Sequence, residues 1–177
     1  MVNLKRYCLL FVIIFFISGF TVPERINKLI DKEIRFSLNI NAFTKEAITI
    51  PENFTTKIPS EISDHNFQRV IVEENTVGYY YFGKAFGKVD YFDFVVIFDI
   101  DLNVSKVKIL VYREDHGAEI MSKRWLKQFI GKSSKNELNY PKDVIGISGA
   151  TLSVKSMTKA VNNLLKSINM LHQKKLL

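Results

Sequence analysis

Apolar residues recur along this chain with two periods, and each change of period marks a change of element. Over residues 23–36, Ile26, Leu29, Ile30 and Ile34 fall three or four apart, which predicts a short amphipathic helix with Pro23 in its first turn. A polar stretch around Pro51, Pro59 and Asp64 is predicted to separate that helix from the main body. Four β-branched or aromatic runs follow, at residues 68–73, 76–83, 91–99 and 104–113. They are punctuated by Glu74-Asn75, Gly83, Gly87 and residues 99–103, and connections this short predict antiparallel neighbours. Residues 91–98 are almost continuously apolar, the pattern of a central strand buried on both faces. Val104, Val107, Ile109 and Val111 largely alternate with polar residues and predict a strand with one wet face.

The period then lengthens. Ile120, Trp125, Leu126 and Phe129 predict a helix over 120–130 that ends at Gly131. Met157, Val161, Leu164, Leu165, Ile168 and Leu171 predict a long helix over 152–173. Lys166, Lys174 and Lys175 lie toward its C-terminal end, where the macrodipole favours positive charge. The fold class expected is α+β: a twisted, mainly antiparallel sheet flanked by helices, with the long C-terminal helix across it. Three segments are expected: 1–22 as a leader or anchor, 23–66 as helix and connection, and 67–177 as the main domain.

The leader has its own signature. Lys5 and Arg6 precede an apolar run at 7–17, followed by Ser18-Gly19, the order of a secretory signal peptide. The run from 7 to 22 is short for a bilayer span, which needs roughly 20 residues. Export is expected, with an uncleaved membrane anchor as the alternative. Cys8 is the single cysteine and precedes the apolar core. Its removal with the leader would leave no thiol for disulfides, metal sites or catalysis.

Composition narrows the function classes. A chain of 177 residues, 47% hydrophobic and 24% charged, can bury a core without metals or disulfides and is not disordered. Fourteen Phe and seven Tyr suit a β-rich core filled with rings. The net charge of +7 suits an anionic ligand or a membrane leaflet; Lys and Arg are spread along the chain, so nucleic acid is not expected as a partner.

The segment with the most chemistry is 143–153, Asp-Val-Ile-Gly-Ile-Ser-Gly-Ala-Thr-Leu-Ser, a loop of small residues that feeds the long helix. Gly146 and Gly149 permit backbone conformations and close approaches that a β-carbon would block. Ser148, Thr151 and Ser153 gather hydroxyls at the helix start, where unpaired N–H groups and the dipole favour an anion. Simple capping by Thr151 or Ser153 is the competing reading. The loop is neither a Walker motif nor a dinucleotide fingerprint.

Ser148-Gly149-Ala150-Thr151, followed by Leu152-Ser153 and an amphipathic helix, resembles the flavinylation motif of the FMN-binding domain family. That family includes the covalent-flavin subunits of the Rnf electron-transport complex and the sodium-pumping NADH:quinone reductase. The resemblance implies FMN as cofactor, joined through its phosphate to Thr151 by a separate flavin transferase that uses FAD. Ser148, Gly149 and Ala150 would form the surrounding turn, with Ser153 beside it. Upstream, residues 113–119 (Arg-Glu-Asp-His-Gly-Ala-Glu), then Trp125, Phe129, Gly131 and Lys132, are similar to the family's Glu-Thr-Pro-Gly-Leu-Gly segment and the Trp/Phe helix after it. That segment lies close to the flavin, so Glu114, His116 and Gly117 are implied as cofactor neighbours. The similarity spans roughly residues 70–170. Four positions depart from it: Ile145 stands where the family usually has Asp, and His116 and Ala118-Glu119 replace its Pro and Leu-Gly.

The remaining candidates are weaker. His116 is either a flavin contact that moves a proton or an exposed loop residue, and His65 and His172 have no partners in sequence. Glu114 and Glu119 are possible acid/base groups without a pairing residue. Asp99 and Asp101 lack the remaining ligands of a calcium loop and predict a turn. Residues 83–88 predict a bend between strands rather than a phosphate loop. The expectation is therefore an exported or membrane-tethered flavoprotein in electron transfer, with a redox partner in a membrane chain. Its rivals are a noncovalent FMN reductase or sensor, a cofactor-free structural subunit, and a binding module for another phosphorylated ligand.

Overall fold

A computed structural model describes residues 22–177; the leader, including Cys8, lies outside the described residues. Five strands form one antiparallel sheet in the order of the chain: β1 Thr44–Ala47, β2 Phe67–Val72, β3 Asn75–Phe86, β4 Tyr91–Asp99 and β5 Val104–Val111. Helix α1 (Glu24–Leu38) precedes them, and the short α2 (Glu52–Thr55) lies between β1 and β2. After β5 come a 3-10 turn at Ala118–Met121, α3 (Lys123–Leu126), a second 3-10 turn at Lys127–Phe129, and the long α4 (Thr151–Gln173). The architecture is α+β, as the pattern predicts.

β4 organises both cores because its side chains are apolar on both faces. Phe92, Phe94, Val96 and Phe98 point into the cluster that holds Val154, Met157, Val161 and Leu164 of α4. Val95 and Ile97 point the other way, into a cluster with Ile26, Ile30 and Ile34 of α1. Each buried ring or branched side chain stabilises by ~1.5–3 kcal/mol relative to exposure, so β4 is held from both sides. Helix α1 ends where Asn39 turns left-handed (φ 54°) and its N–H bonds the Arg35 carbonyl.

Five sequence expectations need correction. Residues 44–47, Thr-Lys-Glu-Ala, carry no apolar alternation, yet they pair in register with β2 as an edge strand. The polar stretch beyond them is tied to the main body: Ile58 and Ile62 enter the core, and the Ser60 N–H donates to Ser167 Oγ of α4 at 2.9 Å. Gly83 does not bend the chain. It lies inside β3 opposite Phe94, and the rings of Tyr81 and Phe94 occupy the space a β-carbon would need. The outward face of β5 is not simply wet, because α1 covers it and Lys106 pairs with Glu33 at 3.7 Å.

The fifth correction concerns 120–130, which is not one helix. Ser122 is extended (φ −68°, ψ 140°), and its Oγ accepts the Trp125 N–H at 3.2 Å. That N-cap restarts the chain as α3 and leaves 3-10 turns on either side. Gly131, left-handed at φ 75°, follows the second turn, and its N–H bonds the Val104 carbonyl at 2.7 Å. This clamps the segment to the start of β5.

Candidate functional site

Helix α4 begins without a side-chain cap. Ala150 is the N-cap residue (φ −126°), and the first intrahelical bond runs from the Val154 N–H to the Ala150 carbonyl at 2.9 Å. The amides of Thr151, Leu152 and Ser153 therefore have no intrahelical acceptor, and they lie at the positive end of the macrodipole. Thr151 is the first helical residue and is exposed. Capping by Thr151 or Ser153 is thus corrected: neither caps. Ser153 is 3% exposed, and its Oγ lies 3.2 Å from the Tyr112 hydroxyl. Ser148 is exposed, and Gly149 turns left-handed (φ 77°) with no neighbouring atom within 4 Å of where a β-carbon would stand.

The chain after β5 is folded onto this turn. Gly117 is left-handed (φ 79°), and a β-carbon there would overlap that of Ala150. Tyr112 ties the two segments together, because its hydroxyl donates to the His116 carbonyl at 3.0 Å while meeting Ser153. Residues 112–117 and 148–153 are therefore packed together at the start of α4. His116 is exposed and contributes its carbonyl to this junction.

Arg113 and Glu114 anchor the segment at its other end. Arg113 Nη2 donates to Asp93 Oδ2 at 2.6 Å, and Nη1 donates to the Tyr91 carbonyl at 2.8 Å. The bond from Asp93 raises the Arg113 pKa further above its ordinary value. Asp93 is 3% exposed, and its Oδ1 has no partner among the described residues. Glu114 Oε1 accepts three backbone N–H groups at the tip of the β3–β4 hairpin: Lys88 at 2.6 Å, Val89 at 2.8 Å and Asp90 at 3.1 Å. A β-carbon on Gly87 would meet the carboxylate and displace it from these amides. The Val89 and Asp90 amides, then Lys88, hold this carboxyl below the usual glutamate range. A carboxylate held in that way is poorly suited to proton transfer near neutrality. Phe86 and Tyr91, both substantially exposed, stack edge-to-face beside the same tip at 4.9 Å.

The approach to Ser148 is fixed from below. Trp125 Nε1 donates to the Ile145 carbonyl at 2.8 Å, and the Ile145 N–H donates to Gln128 Oε1 at 2.6 Å. Val144 and Ile147 are buried on either side, while the Ile145 side chain is 71% exposed. Asp143 Oδ2 accepts the Asn139 N–H at 2.9 Å. Sequence reasoning missed Tyr112, Gln128 and Asp93. Asp93 had a signal, because a lone carboxylate inside an apolar strand requires a buried partner.

The other sequence candidates stand apart. Glu119 pairs with Arg124 at 2.5 Å, and Asp99 Oδ1 accepts the Asn103 N–H at 2.8 Å within a turn. His65 lies 3.3 Å from Asp64, and His172 sits at the far end of α4. Among the described residues, no group of three His, Cys, Asp or Glu could hold a metal ion.

Charge is less evenly spread than the whole sequence suggests. Residues 123–166 carry nine Lys or Arg against two Asp or Glu, an excess of seven that equals the net charge of the whole chain. The site therefore lies within the basic part of the molecule.

These features fit a flavin phosphate. The helix start is uncapped, its first hydroxyl is exposed, and the preceding turn leaves its surroundings open. Thr151 with the α4 amides, Gly149 and Ala150 would hold the phosphate. No curated protein matches the chain. Residues 87–166, from the tip of the β3–β4 hairpin through most of α4, match the family of the FMN-binding domain. The chain thus carries an FMN-binding domain, and FMN is its cofactor.

Proposed function

We propose that this protein is an exported or membrane-tethered electron carrier whose FMN is joined by a phosphoester to Thr151. The observation that carries this reading is the uncapped start of α4, with an exposed Thr151 hydroxyl as its first side chain. The amides of the first turn stabilise phosphate charge without a neighbouring arginine. Tyr112 and Gly117 hold the second segment against that turn, so the isoalloxazine would be oriented by 113–117 and the adjoining hairpin tip. FMN supplies the redox chemistry, while the protein supplies attachment, orientation and electrostatics.

Two partners follow from this reading: a flavin transferase that forms the ester from FAD, and a redox partner in a membrane electron-transport chain. A covalent tether suits an exported carrier, because a dissociable cofactor would be diluted outside the cytoplasm. No helix among the described residues is long and apolar enough to cross a membrane. The tether in this reading is the apolar run of the leader at 7–17. A noncovalent reductase or sensor is the second reading. It is favoured by Ile145, whose exposed apolar side chain stands where the resemblance expects an acid.

The deciding experiment is flavin fluorescence in a denaturing gel, on protein produced together with a flavin transferase. Fluorescence that survives denaturation and is lost in Thr151→Val supports the tether. Fluorescence that persists in Thr151→Val overturns Thr151 as the attachment residue. Flavin that is released on denaturation supports the noncovalent reading.

A further inference from the structure

The same face of α4 that begins at Thr151 continues as a polar stripe through Lys155, Lys159, Asn162 and Lys166, spaced three or four residues apart. A shallow, largely open groove of about 360 Å³ runs along it, bordered on the other side by residues 138–140. That volume is near the lower end of small-molecule sites, ~300–1,000 Å³. The far wall is held in place, because the Asn162 side chain accepts the Leu138 N–H at 2.9 Å and donates to the Leu138 carbonyl at 2.7 Å. Tyr140 stands between cleft and loop: Lys155 Nζ lies 5.8 Å from its ring centre, and its hydroxyl crowds Gly146.

The charges are arranged for a ligand rather than for each other. Lys166 pairs with Glu137 at the distal end, whereas Lys155 and Lys159 have no acidic partner among the described residues. Their α-carbons lie ~6 Å and ~12 Å along the axis from Thr151, and helical side chains lean toward the N-terminus. Lys155 Nζ lies over the Tyr140 ring, and Lys159 lines the same groove one turn further along the helix. The surrounding segment carries the whole excess of positive charge, which raises the local concentration of anions.

We infer that this cleft is a second anion site, which takes a small ligand bearing two phosphoryl groups, held by Lys155 and Lys159. Ammonium groups bind phosphate as point charges, and two of them one turn apart match a diphosphate better than a single carboxylate. The inference does not rest on the flavin ester, since the cleft begins a full turn beyond Thr151.

Calorimetric titration of the purified full chain with inorganic pyrophosphate tests it. Saturable binding is expected, weakened at least about tenfold by Lys155→Gln with Lys159→Gln. Lys123→Gln with Lys127→Gln makes the same charge change outside the cleft and is expected to weaken binding less than about threefold. All four lysines are exposed, and an unchanged unfolding midpoint checks that each variant is folded. The inference is overturned by absence of saturable binding, by equal loss in both double variants, or by tighter lysine-dependent binding of a glutamate-rich peptide.

Discussion

Gly117 packs against Ala150 so closely that a β-carbon on Gly117 would overlap the Ala150 side chain. This contact joins the loop after β5 to the start of α4, and both residues belong to the matched domain. Gly149, two residues before Thr151, shares the left-handed backbone but faces open space. The two glycines therefore separate conformational cost from steric cost.

Gly117→Ala is expected to destabilise by on the order of 3 kcal/mol, from left-handed strain and overpacking together. Gly149→Ala carries only the backbone part, about 1 kcal/mol. Urea unfolding measures both. Flavin content should fall more in Gly117→Ala, because its neighbour must shift the residue before Thr151.

Glu114 gives a pH signature. Its carboxyl is held below the usual range by the Val89, Asp90 and Lys88 amides, so its folded pKa lies below its unfolded one. The stabilisation it provides is complete above the unfolded pKa and is lost as pH falls through the folded value. Amide chemical shifts of Lys88, Val89 and Asp90 should titrate together at a pH below that of a free glutamate. Glu114→Gln should abolish that titration, and its survival would show that Glu114 is not its source.

Asp93 should matter more than its distance from Thr151 suggests. Asp93→Ala leaves Arg113 with only the Tyr91 carbonyl and is expected to cost about 2 kcal/mol, typical of a hydrogen bond to a charged group. Arg113→Ala leaves the buried carboxylate unpaired and should cost at least as much. A double-mutant cycle in urea checks this: the two losses should be clearly non-additive.

The sequence pattern revealed what periodicity encodes and missed what pairing imposes. β4 and α4 were legible because their apolar positions repeat over nine and 23 residues. β1 was not, since Thr44–Ala47 is polar and is a strand only because β2 offers an edge. Gly83 looked like a break, but it is small because two rings fill its place. The helix expected over 120–130 has the right apolar spacing, yet the Ser122 cap and the Gly131 clamp divide it. At the candidate site, residue type pointed to the Thr151 turn, and the proposal that it takes a phosphate came from the resemblance. The bridge through Tyr112 was invisible, because it depends on a carbonyl and a buried serine brought together only by folding.

Ile145 and Trp125 test which part of the 143–147 loop the fold uses. The structure engages the Ile145 backbone through Trp125 and Gln128 and leaves its side chain in solvent. Ile145→Asp is therefore expected to change stability by no more than about 0.5 kcal/mol, as for other exposed positions. Trp125→Phe keeps a ring against Phe129 but orphans the Ile145 carbonyl, which should cost about 1–2 kcal/mol. Flavin loading should separate the variants further. Trp125→Phe loosens the path to Ser148 and should lower the flavin fraction, whereas Ile145→Asp restores the acid of the resembled motif and should raise it. Unfolding midpoints and flavin-to-protein absorbance ratios measure both. A lower flavin fraction in Ile145→Asp at unchanged stability would mean that the exposed isoleucine itself contacts the flavin or its transferase.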